Sequence, residues 1–445
     1  MRARHASLRR LFDVLDDLVD DQVGVVRCVQ EVRREPGAPE FFHYSAVAAN
    51  TAAFTAQENF RNTGGASTRR DIAIAKAVGE AVERYSSAIF EVEEFPLHAA
   101  EDAPFKCVDP ASFALYSDAQ YDTPGFPWVR FDETTTVRWV GGVNPHTGEV
   151  VYVPAAFVWM PYHYYRGSGD TPIVQPISTG MACHCSPAEA ACSGLGEVVE
   201  RDAVMIFWQG KLSCPQVRVE TLSDANYDLV HRFEATGDSV VLLNITTDLG
   251  IPCVLSVLRS RSPERAAFVF AASSDLDPEI ATRKALEELA HTRRYSQQIQ
   301  THMARMAPDP TGRYEAVEKQ LEHLNFYCGQ ENAHLAEFAL ASKERLEFDE
   351  IPSLSTGTPE GDLRVFGERL AAAGHTPVIV PLTSPDIAEL GLHVVRAVVP
   401  GLHPLFMGHK LRALGGRRLW EVPGRMGHPQ ITRESGDNPA PHPYP

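Results

Sequence analysis

The sequence predicts an α+β fold in which antiparallel sheets are backed by helices and two related halves enclose one site. Three strand-like runs, SVVLLNIT, PCVLSVLR and AAFVFAAS, follow one another without an intervening helix, which is typical of antiparallel pairing. Two long runs with little charge, residues 72–90 and 188–208, have helical character. The heptad GEAVERY at residues 79–85 returns as GEVVERD at residues 196–202, which indicates two related halves.

The elements are predicted here in order from the N-terminus. Residues 1–50 predict a helix followed by one or two strands, including GVVRCVQEV. The first motif helix follows the glycine pair in RNTGGAST. Residues 95–175 are rich in Pro, Tyr and Trp, and the runs TTVRWVGGV and VVYVPAAFV predict strands joined by loops.

In the second half, the second motif helix begins after STGMACHC, and a helix at 224–236 precedes the three strands. Asp277, Pro278 and Glu279 open a long helix. A polar stretch at 308–342 predicts helix, and a loop at 349–360 leads to another helix and the strands TPVIVPL and HVVRAVVP. Residues 424–445 predict coil. The expected division is an N-terminal region at 1–60, a main domain at 61–430 and a proline-rich tail at 431–445.

Composition narrows the class of protein. A formal net charge of −17 argues against nucleic acid or an anionic membrane as a partner. The N-terminus has no apolar core of the signal-peptide type, and no apolar run approaches the roughly 18 residues of a spanning helix. The 8 cysteines are scattered along the chain, which favours free thiols and a cytoplasmic location.

The repeated heptad places charges inside apolar helices. Glu80, Glu83 and Arg84 are spaced i, i+3 and i+4 on one helix face, and Glu197, Glu200 and Arg201 repeat that face. Buried charges are rare unless they are paired or bound to metal. Each heptad alone is explained by internal Glu/Arg salt bridges. The two together favour one shared site, since four converging carboxylates would repel without cations between them.

Other acidic residues extend this pattern. Glu189 lies within roughly 80° of arc of the second heptad's glutamates on a helical wheel, although Ser186 three residues before it also fits a capping box. Mg²⁺ bridging nucleotide phosphates is the cation that suits such a stripe. The long helix adds Glu288, His291 and Arg293, for which a solvated charged face is the plain alternative.

Three weaker features leave alternatives open. Cys183 and Cys185, with Cys192 nearby, suggest zinc, but a single cluster is more often free thiol. Gly64 and Gly65 suggest either phosphate binding at a helix N-terminus or a simple turn. The alternating prolines of the tail predict a polyproline II segment, either a disordered or docking tail, or a segment laid into the active site.

Taken together, these pieces resemble the YcaO family along almost the whole chain, and in particular its stand-alone D-type azoline-forming cyclodehydratases. The matching pieces are GEAVERY, STGMACHCSPAEAACSGLGEVVERD, ALEELAHTR, and LGGRRLWEVPGRMG with the proline-alternating C-terminus. The order and joint presence of these pieces make the resemblance specific.

The resemblance implies cofactors and site residues. ATP and Mg²⁺ are the implied cofactors, with metal-site positions at Glu80, Glu83, Glu197 and Glu200. Catalytic positions are implied for Arg201 and Arg293 near the phosphates and for the terminal Pro445. The implied nucleotide positions are Gly64, Gly65, Ser67, Cys185, Glu189, Glu288 and His291.

The chain departs from the family pattern at several positions. Thr63, Gly64 and Gly65 stand where the family often has Gly-Lys-Gly, so a phosphate-binding lysine is absent there. Lys76 and Ala182 stand where the family usually has serine. Cys185 stands where it usually has asparagine, and His291 where it usually has glutamine. Because all the carboxylates of the family pattern are present, we expect altered nucleotide binding and not a loss of activity.

The implied reaction is ATP-dependent cyclodehydration of Cys, Ser or Thr in a ribosomal precursor peptide. The backbone amide oxygen is phosphorylated, and its loss as phosphate leaves a thiazoline or oxazoline. The implied partners are the precursor peptide and a separate E1-like leader-binding protein, with a flavin-dependent azoline oxidase and a homodimer as further options. Thioamide or amidine formation, or a non-catalytic peptide-binding scaffold, are the alternatives.

Overall fold

The computed structural model describes residues 2–445 and has the mixed composition that the sequence predicts. Its helices are α1 Arg2–Asp13, α2 Leu15–Leu18, α3 Arg70–Ser86, α4 Asp118–Tyr121, α5 Pro187–Gln209, α6 Asp224–Glu234, α7 Pro278–His302, α8 Gln320–Phe326, α9 Pro359–Ala372, α10 Pro385–Glu389 and α11 Arg418–Arg425. Its strands are β1 Val26–Glu31, β2 Phe42–Ala48, β3 Asn62–Ser67, β4 Leu97–His98, β5 Val137–Val143, β6 Val150–Pro154, β7 Met181–His184, β8 Gln216–Val217, β9 Ser239–Asn244, β10 Cys253–Arg259, β11 Phe268–Ser274, β12 Arg345–Leu346, β13 Val378–Pro381 and β14 His393–Val398.

The strands form three sheets. The orders are β1-β2-β3, then β11-β10-β9-β8-β12, then β4-β5-β13-β14-β7 with β6 paired to β5. β12 and β8 are parallel, and the other pairs of these strands are antiparallel. The α+β prediction is therefore confirmed. No helix in residues 2–445 combines the length and apolar character needed to cross a membrane.

The glycine pair before the first motif helix is part of a strand, so the turn predicted there is wrong. Gly64 and Gly65 lie in the middle of β3, which pairs with β2. A Cβ on Gly65 would stand 2.5 Å from the Lys76 Cβ and 2.7 Å from the Ala73 carbonyl oxygen. The glycine therefore lets α3 pack directly on the strand. β1 and β2, before residue 60, and β3, after it, belong to one sheet. The expected division of the chain at residue 60 stays a prediction.

The second sheet explains the continuous apolar runs of the central strands. β10 has one partly exposed residue, Arg259, and every residue of β11 is buried. α7 packs on β10 and β11, while α5 also contacts both strands. A strand covered on both faces has no polar face to alternate with an apolar one.

The third sheet carries the second motif helix. α5 packs on β14 and β7 through small residues, and a Cβ on Gly194 would stand 2.6 Å from the Gly180 carbonyl oxygen. Gly180 itself has φ +90, the left-handed region that favours glycine. The last seven residues of α5, 203–209, are all buried. This helix is therefore at the centre of the fold.

The polar stretch at 308–342 is much less helical than predicted. It contains the seven-residue helix α8 and two short 3₁₀ segments, Gln330–Leu335 and Glu337–Leu340. Pro308 and Pro310 remove backbone donors, and Gly312 takes φ +65, so the chain turns where a helix would continue. Residues 426–445 have no regular structure, as predicted, but residues 440–444 are buried.

Candidate functional site

The two motif helices, α3 and α5, both pack against β7. Glu83 on α3 accepts a hydrogen bond from the Cys183 backbone N–H at 3.0 Å. Glu197 on α5 accepts one from the Gly180 backbone N–H, also at 3.0 Å. β7 and its preceding residue therefore anchor one glutamate from each heptad, and the two heptads belong to one site.

Within each heptad, the first glutamate pairs with the arginine one turn later. Glu80 lies 3.1 Å from Arg84, and Glu197 lies 3.3 Å from Arg201. Glu80 also accepts a hydrogen bond from the Gly64 N–H at 3.3 Å. Salt bridges within each heptad thus account for the first glutamate. The negative charge of the second glutamate is less well balanced by the arginine.

The second glutamates are electrostatically unfavourable as they stand. Burial raises the pKa of Glu83 to about 8, and repulsion from Glu80 and Glu197 adds to this while Arg84 opposes it. Burial likewise raises the pKa of Glu200 to about 7, with Glu197 and Glu288 adding to the rise and Arg201 opposing it. A cation among these carboxylates would remove that penalty.

Besides the two motif helices, α7 also contributes an acidic residue, Glu288, to the cluster. Burial works against ionisation of Glu288, but Lys76, His291 and Arg201 together hold its pKa below the ordinary value. Lys76 Nζ lies 3.6 Å from Glu288 and 2.9 Å from the buried Glu287. The lysine that replaces a usual serine therefore supplies positive charge within this group.

Several predicted nucleotide residues line the contact between β3 and α7. Ser67 donates to Glu287 at 2.6 Å. A Cβ on Gly64 would stand 2.5 Å from the His291 ring, so glycine is needed for that ring to approach β3. The nucleotide role of these residues stays a prediction. Their structural roles are helix-to-strand packing and a buried hydrogen bond.

Two predicted residues lie at the contact between α1 and α5. Glu189 accepts hydrogen bonds from the Ser7 hydroxyl at 2.7 and 2.8 Å and from the Ser186 hydroxyl at 3.1 Å. Ser186 also caps α5 by accepting from the Glu189 N–H, which is half of the capping box. The Cys185 thiol donates to the Ser7 carbonyl at 3.2 Å, and all eight cysteines are free.

Arg293 does not contact the carboxylate cluster, and its place near phosphates stays a prediction. Its Nε lies 3.6 Å from the fully buried Asp238, which also pairs with Arg265 at 2.9 Å. Arg293 lies five residues after Glu288 on α7, which turns its side chain well away from that acid. It therefore belongs to a separate buried ion pair.

The C-terminal tail is packed against the second heptad. The Tyr444 hydroxyl donates to Glu200 at 2.6 Å, and the Arg201 guanidinium donates to the Pro445 oxygen at 3.0 Å and lies 4.6 Å from the Tyr444 ring centroid. Further back, Trp208 donates to the Ala440 carbonyl at 3.0 Å. The tail is internal, and its end lies beside the carboxylates.

The donor set fits Mg²⁺ held together with phosphate. Among the described side chains, no three His, Cys, Asp or Glu residues stand close enough to hold a metal ion by themselves. Mg²⁺ is commonly bound by one or two carboxylates and completed by phosphate oxygens and water. Burial is the main cause of the raised pKa values of Glu83 and Glu200, and such an ion would favour their charged forms.

Fold and site together define an α+β protein with a buried, acid-rich site between two related helices. The chain belongs to the YcaO cyclodehydratase family, a family described as ATP- and Mg²⁺-binding, whose model matches residues 64–403. A protein of Methanothermobacter thermautotrophicus, itself uncharacterized, is 30% identical over 368 residues, covering 78% of this chain and 85% of that protein.

Two solved structures share the fold. A heterocyclase in complex with substrate and cofactor gives a TM-score of 0.76 at 21% identity, covering 98% of this chain and 57% of that one. YcaO from Methanopyrus kandleri, bound with AMPPCP and Mg²⁺, gives 0.63 at 22% identity and covers 89% of each chain. This chain thus spans little more than half of the first structure.

Proposed function

We propose that this protein is an ATP-dependent cyclodehydratase that converts Cys, Ser or Thr of a ribosomal precursor peptide into thiazoline or oxazoline. The observation that carries the proposal is the convergence of the two heptads: Glu83 accepts from the Cys183 N–H and Glu197 from the Gly180 N–H, each at 3.0 Å, so both helices bring carboxylates to one site. Carboxylates held in this way are suited to a divalent cation that accompanies a nucleotide phosphate.

The proposed reaction needs no nucleophile from the protein. The substrate thiol or hydroxyl loses its proton and attacks the preceding carbonyl carbon, the amide oxygen leaves as phosphate, and loss of the amide proton completes the C=N bond of the ring. When bound, ATP with Mg²⁺ supplies the phosphoryl group that carries this oxygen away. Glu80, Glu83, Glu197 and Glu200 would hold the cation, and the protein acts mainly by orienting the reactants.

Arg201 is the best-placed cation for negative charge that develops during the reaction. It lies 3.3 Å from Glu197 and 3.6 Å from Glu200, and it is close to the end of the tail. Tyr444 and the carboxylates of Glu200 and Glu197 hold its pKa above the ordinary value despite burial, so it stays charged at every working pH. A fixed guanidinium is suited to stabilise a phosphoryl group in transfer.

The proposal includes partners. We expect a separate E1-like protein to capture the leader of the precursor peptide, and a flavin-dependent azoline oxidase to act on the product where an aromatic ring is made. The cytoplasmic location and a homodimer stay predictions. The organisation of neighbouring genes would identify the peptide and the partner.

The test is the mass of the product formed with ATP, Mg²⁺, the E1-like partner and the precursor peptide. Ring formation removes one water per residue, whereas thioamide formation exchanges oxygen for sulfur. Glu200→Gln should abolish the change in mass while the protein remains folded. A product in which sulfur or an external amine replaces the amide oxygen would reject cyclodehydration and favour thioamide or amidine formation, and ATP that is not consumed would favour a scaffold role.

A further inference from the structure

A cleft of about 100 Å³ lies beside the carboxylate cluster. Its walls are mostly aromatic and aliphatic and come from six segments of the chain, with two arginines, Arg201 and Arg396, among the lining residues. The apolar wall residues used below are Phe113, Tyr116, Phe157, Val174, Ile177 and Leu411. Arg201 also contacts Glu197 and Glu200, so the cleft and the candidate catalytic site share this residue.

Arg396 is the unusual residue of this cleft. It lies on β14 opposite Met181 of β7 and is only 4% exposed. Its Nε and Nη1 have no hydrogen-bond partner among the residues that the structure describes. Unpaired buried donors cost free energy, and a buried charge costs more. A ligand that brings oxygen atoms into the cleft would remove this cost.

The surroundings of Arg396 favour a neutral oxygen acceptor. Burial lowers the pKa of Arg396 to about 9, Glu197 opposes this change and Arg84 adds to it. Glu197 already provides negative charge nearby, so a second full anion is not required to balance the arginine. Backbone carbonyl oxygens are neutral acceptors, and a peptide offers one at every residue.

We infer that this cleft seats the substrate residues next to the Cys, Ser or Thr that cyclises, that Arg396 donates hydrogen bonds to their backbone carbonyl oxygens, and that the apolar walls select aliphatic or aromatic side chains there. The inference rests on the proposed function for the identity of the peptide. It adds a specificity rule: residues flanking the ring position are apolar, and acidic residues are rejected, because they would lose hydration against apolar walls.

The test uses photo-crosslinking, which does not depend on turnover. The probe is the acetylated, amidated peptide Gly-Ser-Leu-Cys-Gly-Ser with a diazirine leucine, and its competitors are the same peptide with ordinary Leu or with Asp at that position. We expect crosslinks within residues 113–116, 155–157 or 174–177. The Leu peptide should compete about tenfold better than the Asp peptide.

Variants sharpen the result. Arg396→Met should reduce labelling about fivefold or more because the charged donors are lost, without lowering the melting temperature. Ile177→Asp should reduce it similarly, whereas Val129→Asp, at a side chain that is 47% exposed and absent from the cleft lining, should not. Crosslinks elsewhere, equal competition by both peptides, or displacement of the probe by ATP alone would overturn the inference; the last outcome would make the cleft a nucleotide site.

The two proposals fail separately. Crosslinks in the cleft from a protein that removes no water from any peptide, with ATP and partner present, would reject cyclodehydration and leave peptide binding in place. Loss of water with crosslinks confined to other surfaces would keep the enzyme and reject this cleft as its peptide site.

Discussion

Glu83→Gln tests whether the cluster is built to hold a cation. The amide keeps the oxygen that accepts from Cys183 N–H but cannot ionise. Since the folded pKa of Glu83 is about 8 and its ordinary value is 4.5, its contribution to stability is fully present below pH 4.5 and is lost as the pH rises to about 8. In the metal-free protein, wild type should therefore lose stability relative to the variant across this window.

The expected change in the free energy of unfolding follows from proton linkage. Between pH 6 and pH 8 the native state holds almost one extra proton, so wild type loses on the order of 2 kcal/mol relative to Glu83→Gln. For a chain of 445 residues this is about 2 °C in melting temperature. Glu368→Gln on the exposed face of α9 removes the same charge and is the matched control.

The assay is thermal melting at pH 6, 7 and 8 with EDTA, repeated with Mg²⁺ and a non-hydrolysable ATP analogue. We expect the gap between Glu83→Gln and wild type to widen with pH in EDTA. With Mg²⁺ and nucleotide, wild type should gain stability most at pH 8, and the variant should gain little. A gap that stays constant with pH, or a variant stabilised by Mg²⁺ and nucleotide as much as wild type, would refute the reasoning.

Three further predictions concern arginines and the tail. Arg418→Met should destabilise the protein by about 3–5 kcal/mol in denaturant unfolding, because it leaves buried carboxylate unpaired, whereas exposed Arg417→Met should cost about 0.5 kcal/mol or less. Arg201→Ala should reduce peptide-dependent ATPase far more than Arg70→Ala, and equal small losses would make Arg201 structural. A tag appended to Pro445 should impair ring formation; native rates in the tagged protein would exclude an active-site tail.

The site could be predicted from the sequence where charged residues lie within apolar helices. Glutamates within apolar helices are costly, so their repetition in two helices indicates a shared purpose before any contact is known. The repeat does not show how the two helices meet. That depends on β7 and the residue before it, whose N–H groups donate to Glu83 and Glu197. The position of β7 follows from its pairing with β14, far away in sequence.

The differences between the predicted and the observed contacts have the same origin, since local patterns do not report distant partners. The glycine pair predicts a turn when only its own segment is considered, but β2 and α3 make it a strand. Arg293 shares a helix with Glu288, yet Asp238 from before β9 binds it. Arg396 was missed altogether. Its signal was present, because a lone arginine in the apolar run HVVRAVVP is as anomalous as the heptad glutamates.

The tail and the second heptad form one electrostatic unit. Tyr444 donates to Glu200 and so favours its charged form, while the Pro445 oxygen accepts from Arg201 and keeps that guanidinium in place. The first heptad has a backbone N–H where the second has a tyrosine. Consequently the two second glutamates are not equivalent: Glu83 is held by β7 and Glu200 by the last residues of the chain. Movement of the tail would therefore change the charge state of one wall of the site and leave the other wall intact.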